Sequence, residues 1–446
     1  MDIKILFKKK FYNLYSNIDM RIMYTNIKHN IKYYSITDIP KFTKKLSIYL
    51  SDLLLIKCLP KNIETLKIIN NLDYIIEKWE IFSNIKNLTF KLCKINFDTL
   101  ILLPKLETLC LDMCDVLSKN NNIIIKNSLL PSLKSNIEHR LFIYNFIYEI
   151  PIITYDNLNE LELHGCNEST DIKKIFDNLQ NLKTLNIQSI EYLNDDIFNN
   201  LSHLKSLSLS GNNNEIFLTK KIFNPISKSL ESLRLSSINL KCYDIFDDMK
   251  SLKSLILCAF NSDYYNVLNN YSFYNLFQLE KLVLNYVDGI NDDVFRYIPN
   301  IKKLELVSCK NKNLSSNGFK YLKNLKKLEV YNFNMSNYDS EYLTKLTKLI
   351  MGSCFKEYYL TDKFFMNLNN LEKLSIRYID CEMLNECFKY IPNIKYINIF
   401  DSENINFIKN INILQYLKKI YIHNCDKKYH NMICDKYKKI TNIKFF

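Results

Sequence analysis

The side chains that could catalyse a reaction or bind a metal ion are scattered along this 446-residue chain. Its six histidines do not cluster, and its five glycines are isolated, so no glycine-rich loop could cradle a phosphate. Carboxylate pairs such as Asp195-Asp196 and Asp292-Asp293 stand at presumed helix starts, where capping accounts for them. Four late cysteines match no zinc spacing: Cys381, Cys387, Cys425 and Cys434. We therefore predict no catalytic residue, no metal site and no cofactor, which means that the protein is not an enzyme.

Regularly spaced lysines offer a different chemistry, the electrostatic recognition of a partner. They recur in the second half of the chain: Lys281, Lys303, Lys327, Lys348, Lys373 and Lys419. Aromatic and cationic residues accompany them: Tyr331, Arg377, Phe400 and Tyr421. Aromatic groups combined with positive charge suit binding to an acidic protein surface. The alternative is that lysine is merely the default polar residue of a chain with 55 lysines and five arginines.

A short repeated sequence motif, which we call the phrase, positions these lysines. It consists of an apolar residue, two polar ones, a second apolar residue, any residue, and a third apolar residue. Examples are Leu158-Asn-Glu-Leu161-Glu-Leu163 and Leu279-Glu-Lys-Leu282-Val-Leu284. Thirteen copies start between residues 158 and 440, a mean of 23.5 residues apart, and looser copies start at 43, 63, 85 and 106. The residue before the second apolar position is lysine in six of the eight copies from 279 onward. It is basic in none of the eight copies between 63 and 252.

Each phrase has the pattern of a short strand. Alternation at Leu161, Glu162 and Leu163 sends the leucines to one face and the glutamate to the other. Since one repeat cannot bury its apolar face alone, neighbours must stack into a parallel sheet with a continuous leucine core. Strands about 4.8 Å apart would then stack the lysines into a ladder. Stretches such as 194–201, 291–298 and 361–368 place Asn or Thr ahead of apolar residues at helical spacing, which predicts capped helical turns on the opposite side.

The phrase and its period resemble the leucine-rich-repeat superfamily. This resemblance implies an α/β fold, a leucine-rich-repeat solenoid: a curved horseshoe with a parallel β-sheet on the concave face and short helices and turns on the convex face. Cysteine stands three places after the last strand position in six copies: Cys93, Cys114, Cys166, Cys309, Cys354 and Cys425. That feature resembles the cysteine-containing subclass, the type found in substrate-receptor subunits of ubiquitin ligases.

The amino-acid usage carries a second resemblance. Ile, Asn, Tyr and Lys are abundant, and these are residues with A/T-rich codons. Together with a divergent repeat array, this usage resembles the leucine-rich-repeat families of AT-rich large DNA viruses, particularly insect poxviruses. It implies a viral protein that interacts with a host.

The repeats also predict the domain organisation. We expect an N-terminal capping or flanking segment over residues 1–42 and a solenoid over 43–446, with a degenerate repeat or insertion at about 130–157. Two repeat lengths separate Leu106 from Leu158, and Leu130-Pro-Ser-Leu133 stands where the missing copy should start but is not completed.

The net charge of +13 belongs to the two ends of the chain. Residues 1–45 and 409–446 each carry +7, which leaves −1 for the rest. Basic ends attract nucleic acids or anionic membranes. However, the lysine runs are short and contain no arginine. This favours the interpretation that the charged ends are merely exposed to solvent, so nucleic acid is the less favoured partner. The N-terminus lacks the pattern of a secretory signal and no apolar stretch approaches a membrane span, so we predict an intracellular, cytoplasmic protein, in the host cytoplasm if the chain is viral.

The sequence thus favours a non-enzymatic scaffold that binds a partner protein through its concave face. One alternative is a substrate-receptor subunit of a ubiquitin ligase, although residues 1–42 show no Leu-Pro start followed by the helical pattern of an F-box. A further alternative is a nucleic-acid-associated protein that uses the basic termini. The sequence makes no prediction of the oligomeric state.

Overall fold

A computed structural model of the chain describes the residues from Lys44 to Phe445 with gaps. The described residues are 44–49, 61–69, 75–76, 84–96, 106–112, 115–117, 122–124, 139–144, 152–154, 158–164, 173, 176–177, 179–211, 216–260, 268–308, 314–333, 335–336, 338–353, 361–382, 384, 386–425 and 443–445. The chain divides into two compact units, Met1–Asn212 (unit 1) and Asn213–Phe446 (unit 2).

Unit 1 is built from short strands. They are β1 (Lys45–Tyr49), β2 (Thr65–Ile69), β3 (Ile75–Ile76), β4 (Asn87–Lys91), β5 (Lys94–Asn96), β6 (Thr108–Asp112), β7 (Asp115–Leu117), β8 (Asn122–Ile124), β9 (His139–Tyr144), β10 (Ile152–Thr154), β11 (Leu158–His164), β12 (Thr184–Ile190) and β13 (Ser206–Gly211). Its main sheet is parallel and pairs in the order β1-β2-β4-β6-β9-β11-β12-β13. Two smaller parallel sheets, β3-β5-β7 and β8-β10, form from the segments between these strands.

Unit 2 repeats this plan. Its strands are β14 (Phe217–Leu218), β15 (Ser232–Ser236), β16 (Asn239–Leu240), β17 (Ser254–Phe260), β18 (Lys281–Val287), β19 (Lys303–Val307), β20 (Lys327–Tyr331), β21 (Lys348–Gly352), β22 (Lys373–Arg377), β23 (Tyr396–Phe400), β24 (Lys419–His423) and β25 (Ile443–Phe445). The main sheet pairs in parallel from β15 through β17 to β25 in chain order, and β14 pairs with β16.

The leucines of the phrase form the core, as the alternation predicts. Leu161 and Leu163 in unit 1 are fully buried, as is Leu306 in unit 2, and Leu304 is 1% exposed. Each buried leucine stabilises the fold by about 1.5–3 kcal/mol relative to an exposed one. The alternate residues of each strand face the other way, and we call this the open face of the sheet. Most of them stay partly or fully exposed, as on β19 and β20.

The predicted helical turns are short and mostly of the 3₁₀ type. The 3₁₀ helices of unit 2 are Lys220–Phe223, Asn270–Phe273, Ser316–Tyr321, Asp339–Tyr342, Asp362–Phe365, Cys387–Lys389 and Asn406–Ile413. The stretch 291–298 contains an α-helix of one turn, Val294–Tyr297, whereas 195–200 forms turns only. Each connection leaves room for about one turn before the next strand begins, which favours the tighter 3₁₀ geometry.

A row of buried phenylalanines lies under these turns. In eight repeats a phenylalanine stands six residues before the first apolar position of the phrase and is at most 1% exposed: Phe176, Phe198, Phe246, Phe273, Phe295, Phe319, Phe365 and Phe388. Neighbouring ring centroids lie 6.3 Å apart for Phe246 and Phe273 and 6.4 Å apart for Phe295 and Phe319. We call this row the phenylalanine row. Ser340 occupies its position in one repeat, fully buried, and accepts a hydrogen bond from Asn367 Nδ2 at 3.3 Å.

The carboxylate pairs do not cap their own helices as predicted. Asp293 is the N-cap of the α-helix but makes no side-chain cap hydrogen bond. Asp292 instead accepts from the backbone N–H of Ser315 at 2.6 Å and from its hydroxyl at 2.7 Å, one repeat further along. Asp196 accepts from the Lys173 ammonium, and this hydrogen bond lowers the pKa of Asp196. For Asp292 and Asp293 the predicted capping of the helix at Val294–Tyr297 was therefore wrong.

In unit 2, the main-sheet strands β15 and β17 to β24 each have a left-handed residue, not glycine, at or next to their last residue. In unit 2 these residues have φ between 44° and 57°: Ser237, Ala259, Tyr286, Ser308, Asn332, Ser353, Tyr378, Asp401 and Asn424. This region of φ is unfavourable for a residue with a β-carbon. The backbone reverses sharply here, and the N–H of the residue in that conformation bonds the next strand, as Ser308 N does to Tyr331 O at 2.9 Å.

Residues of both charges stand just before the strands of the sheet, at the second position of the phrase. In unit 2 this leading column reads Glu231, Lys253, Glu280, Lys302, Lys326, Thr347, Glu372, Lys395 and Lys418. Ion pairs join Lys253 to Glu231 at 2.9 Å, Lys302 to Glu280 at 2.5 Å and Lys395 to Glu372 at 2.6 Å. Exposed pairs of this kind each contribute little to stability, but here they join successive repeats.

The irregular segment of unit 1 contains a complete strand. β9 pairs with β6 on one side and β11 on the other, with Leu141 opposite Leu109 and Leu161. The repeat that we expected to start at Leu130-Pro-Ser-Leu133 therefore has its strand eight residues later, at His139–Tyr144. The wider domain boundaries at residues 42, 130 and 157 stay predictions. Within the described residues, no helix has the length and apolarity required to cross a lipid bilayer.

Candidate functional site

The predicted lysines stand in one register across the open face of unit 2. Lys281 lies opposite Lys303, Lys303 opposite Lys327, and the pairing continues through Lys348 to Lys373. Tyr396 then takes the position, and Lys419 follows on β24. We call this row the lysine column. Adjacent strands lie about 4.8 Å apart, so like charges are held side by side along five consecutive strands.

Among the described residues, one lysine of the lysine column makes an ion pair. Lys327 pairs with Glu329 at 3.6 Å. Within the described part of the chain, the other five lysines of the column make no ion pair. Burial lowers the pKa of Lys348, and the positive charge of Lys327 lowers it further. Lys373 places its ammonium 5.0 Å from the centroid of the Tyr396 ring, a cation–π contact that leaves its charge intact.

A middle column lies beside the lysines, formed by the residue between the two inward leucines of each strand. From β18 to β24 it reads Val283, Glu305, Glu329, Ile350, Ser375, Asn398 and Tyr421. Glu305 lies opposite Glu329 in the register. Burial raises the pKa of Glu305, and the carboxylate of Glu329 raises it further. Both signs of charge are therefore present on the open face.

A third column ends each strand on the same face and brings three predicted residues together. From β20 to β24 it reads Tyr331, Gly352, Arg377, Phe400 and His423. The Arg377 guanidinium carbon lies 5.9 Å from the centroid of the Tyr331 ring and 4.9 Å from that of Phe400. The Phe400 ring lies 5.8 Å from the His423 ring. Tyr331 donates a hydrogen bond to Glu329 Oε1 at 3.1 Å.

The predicted site residues thus separate into two groups. Lys348, Lys373, Tyr331, Arg377 and Phe400 lie on four adjacent strands, β20–β23, around Ser375. The other members, Lys281, Lys303, Lys327, Lys419 and Tyr421, extend the surface on either side. Partner binding by these residues stays a prediction.

Ser375 and Asn398, a small and a polar residue among these side chains, were not predicted from the sequence. Ser375 is 4% exposed, and its hydroxyl is buried with no hydrogen-bond partner, as are Arg377 Nε and Asn398 Oδ1. Buried polar atoms without partners cost free energy, so such a cluster is uncommon in a surface that needs no ligand. The sequence could have indicated them, because each of these residues occupies an outward-facing position of the repeated phrase.

At the strand position of the lysine column, the difference in charge between unit 1 and unit 2 is slightly smaller than the sequence predicted. In unit 1, β9 adds Arg140 to this position, between Thr108 and Glu160. β1 adds Lys45, opposite Thr65. The remaining positions of unit 1 are uncharged or acidic, so a continuous run of cations is confined to unit 2 among the described strands.

Among the described cysteines, Cys93, Cys258, Cys381 and Cys387 are buried thiols, and Cys110, Cys242 and Cys425 are partly exposed thiols. Cys93 donates to Lys91 O at 3.3 Å, and Cys425 donates to His423 O at 3.4 Å, as a residue that turns the chain inward would. Burial raises the pKa of Cys381 to about 12. The other cysteines of this position, Cys114, Cys166, Cys309 and Cys354, lie outside the described residues, as does Cys434. In the described part of the chain, no three His, Cys, Asp or Glu side chains converge as metal ligands.

Comparison with family models and with curated proteins gives no match. Solved structures do match. The mouse RP105/MD-1 complex is 13% identical over 91% of this chain and 79% of that chain, with a TM-score of 0.53. The TLR13–ssRNA13 complex is 19% identical over 90% of this chain, with a TM-score of 0.48, and this chain spans 61% of its length. The yeast Rad7–Elc1 complex is 19% identical over 72% of this chain and 77% of that chain, with a TM-score of 0.39.

These likenesses concern the fold alone. The RP105 comparison, together with the stacked parallel strands, confirms the predicted fold class, a leucine-rich-repeat solenoid. The identity is too low to transfer a function, and the cysteine-containing subclass and a viral origin stay resemblances of the sequence.

Proposed function

We propose that this protein is a non-enzymatic scaffold that binds an acidic surface of a partner protein through the open face of unit 2. The observation that carries the proposal is the lysine column, in which five of six lysines make no ion pair among the described residues. Holding like charges on neighbouring strands destabilises a sheet. An acidic partner surface would offset that cost and would gain long-range attraction during association.

The middle column favours a protein over a nucleic acid as the partner. Glu305 and Glu329 lie beside the lysines. A phosphate backbone is uniformly negative and would be repelled by these carboxylates, whereas a protein surface can present both signs of charge. Tyr331, Phe400 and Tyr421 add aromatic area of the kind enriched in protein interfaces. If the chain is viral, as its codon-linked composition suggests, this partner is a host protein.

Charge reversal on the open face tests the proposal. The triple substitution Lys303→Glu, Lys327→Glu and Lys348→Glu reverses the centre of the lysine column. The matched control, Lys323→Glu, Lys345→Glu and Lys363→Glu, changes the net charge equally at exposed lysines of the connecting turns. Both variants and the unmodified chain would be used for affinity capture from host-cell extract with identification by mass spectrometry, followed by binding of the purified partner.

We expect the column variant to lose at least tenfold in affinity for the partner and the control to retain it. We also expect binding of the unmodified chain to weaken as salt is raised. Equal capture by both variants would refute the proposal. Recovery of cullin-ligase components by both would instead select the substrate-receptor alternative, and recovery of nucleic acid by both would select binding through the basic termini.

A further inference from the structure

The most unusual part of the open face is the surface around Ser375. This residue is the central outward side chain of β22, between Lys373 and Arg377 on the same strand. On β21 its neighbour in the register is Ile350, which follows Lys348, and on β23 it is Asn398. Ser375 is only 4% exposed because the longer side chains around it rise above its hydroxyl. A small polar residue thus lies recessed among longer side chains, three of which are cationic: Lys348, Lys373 and Arg377. We call this place the depression.

Three polar atoms in this depression lack partners. Ser375 Oγ, Arg377 Nε and Asn398 Oδ1 are all buried and make no hydrogen bond. The hydroxyl and the Nε–H can donate, while the amide oxygen can only accept. Leaving three such atoms unsatisfied costs free energy, and a bound group that supplied two acceptors and a donor would recover it.

The cations around the depression are also unpaired. Among the described residues, Lys348, Lys373 and Arg377 make no ion pair. Glu329, the carboxylate nearest to them in the register, is already engaged by Lys327 at 3.6 Å and by the Tyr331 hydroxyl at 3.1 Å. Burial lowers the pKa of Lys348, and the positive charges of Lys327, Lys373 and Arg377 lower it further, against the opposing effect of the Glu329 carboxylate. Lys348, Lys373 and Arg377 thus place three positive charges on two adjacent strands.

Arg377 is held in an orientation suited to an anion. The rings of Tyr331 and Phe400 lie 5.9 Å and 4.9 Å from its guanidinium carbon. A guanidinium that stacks on rings by its faces keeps its N–H groups for hydrogen bonds, and Arg377 Nε–H is unpaired, although it is buried. The N–H edge of a guanidinium matches a tetrahedral oxyanion with two parallel hydrogen bonds.

We propose that this depression is a subsite for a phosphorylated side chain of the partner protein, bound by Lys348, Lys373 and Arg377 with Ser375 at its floor. The inference rests on the proposed function and specifies one residue of the partner. A phosphomonoester carries about −1.5 to −2 charges and three acceptor oxygens, which suits three cations and a hydroxyl donor. One carboxylate would leave most of this charge uncompensated. A backbone N–H of the partner beside the phosphorylated residue would satisfy Asn398 Oδ1, which free phosphate would not.

A degenerate peptide library tests the subsite. The probe is an immobilised library with a fixed phosphoserine, phosphothreonine or phosphotyrosine, and the reference is the same library after phosphatase treatment. We expect the intact chain to bind the phosphorylated library at least tenfold better than the reference. Arg377→Lys keeps the charge but loses the fork of donors and should lose most of this preference, and Ser375→Ala should reduce it several-fold. Lys363→Gln, at an exposed turn, is the matched control and should have no effect. Urea-unfolding midpoints equal to that of the unmodified chain would show that the variants are folded.

Three results would overturn the subsite: no binding to the phosphorylated library, equal binding to both libraries, or an unchanged preference in folded Arg377→Lys. Equal binding to a library with glutamate at the fixed position would also overturn the subsite, because a carboxylate would then be bound as well as a phosphate. None of these results decides the proposed function, because partner capture by the unmodified chain and its loss in the charge-reversal variant are measured independently.

Discussion

Gly352 lies directly against the ring of Tyr331, and a β-carbon built on Gly352 would lie 2.4 Å from Tyr331 Cδ1. The two residues are neighbours in the register of β20 and β21. Because Gly352 has no side chain, the Tyr331 ring has room to lie across β21 towards Arg377 on β22. One glycine thus determines the position of an aromatic ring in the candidate site.

Gly352→Ala is expected to displace the Tyr331 ring and to cost about 1–3 kcal/mol of unfolding free energy, the usual range for overpacking. Urea unfolding measures this loss. In a Tyr331→Ala background the obstructing ring is gone, so the same substitution should cost much less. An equal cost in both backgrounds would show that the ring is not the cause.

The phenol of Tyr331 should titrate late. Burial and then the Glu329 carboxylate raise its pKa to about 12, from an ordinary value of 10.0. Because the folded state keeps this proton to higher pH than the unfolded chain, the resulting stabilisation is fully present below about pH 10 and is lost as pH rises through about 12. Alkaline unfolding of the unmodified chain compared with Tyr331→Phe should reveal this loss.

Glu329→Gln should lower the pKa of Tyr331, since it removes the second cause of the upward shift. Ultraviolet titration of phenolate, taken as the difference from the Tyr331→Phe protein, isolates this residue from the other tyrosines. Glu341→Gln removes an exposed carboxylate elsewhere in unit 2 and should leave the titration unchanged. A Tyr331 pKa that stays at about 12 in Glu329→Gln would assign the whole shift to burial.

The left-handed strand ends offer a stabilising substitution. Ala259 has φ of 57°, which a residue with a β-carbon adopts at a cost of roughly 1–2 kcal/mol. Ala259→Gly should therefore raise the free energy of unfolding by about 0.5–1 kcal/mol, after the greater unfolded-state entropy of glycine is deducted. The opposite change, Gly289→Ala, should destabilise, because φ is 88° and the β-carbon would lie 2.3 Å from Leu268 O. Destabilisation by Ala259→Gly would contradict the argument.

The phenylalanine row should dominate the stability of the turns. Phe246 is fully buried, so Phe246→Ala is expected to cost about 3–5 kcal/mol. Ser340 fills the equivalent place with a hydroxyl that accepts one hydrogen bond from Asn367. Ser340→Ala should cost only about 0.5–1.5 kcal/mol. Urea unfolding measures the loss of unfolding free energy in each variant. Similar losses in the two would mean that Phe246 and Ser340 contribute equally to stability.

The inward positions were predictable because their requirement is local and repeated. Leu304 and Leu306 belong to a phrase whose alternation and period suffice to place them in the core of a parallel sheet. The register of Lys303 against Lys327 followed from the same phrase, since a one-residue slip would turn both leucines outward.

Other features depend on contacts between repeats that no single phrase contains. The partner of Asp292, Ser315, lies one repeat away. The ring partners of Arg377 lie on other repeats as well, Phe400 one repeat away and Tyr331 two, so these contacts cannot be read from a single repeat. β9 was missed because its segment lacks the leading leucine of the phrase. The 3₁₀ geometry was missed because helical spacing over one turn does not distinguish it from an α-helix.

The charges of the leading column make the repeats of unit 2 non-interchangeable. Glu231 and Glu280 are separated in the sheet by the strand that follows Lys253. Deleting that repeat would keep every leucine in the core and would bring the two glutamates together, replacing an attraction by a repulsion. Loss of this repeat would thus change the charge contacts on the surface, while the hydrophobic core would accept it.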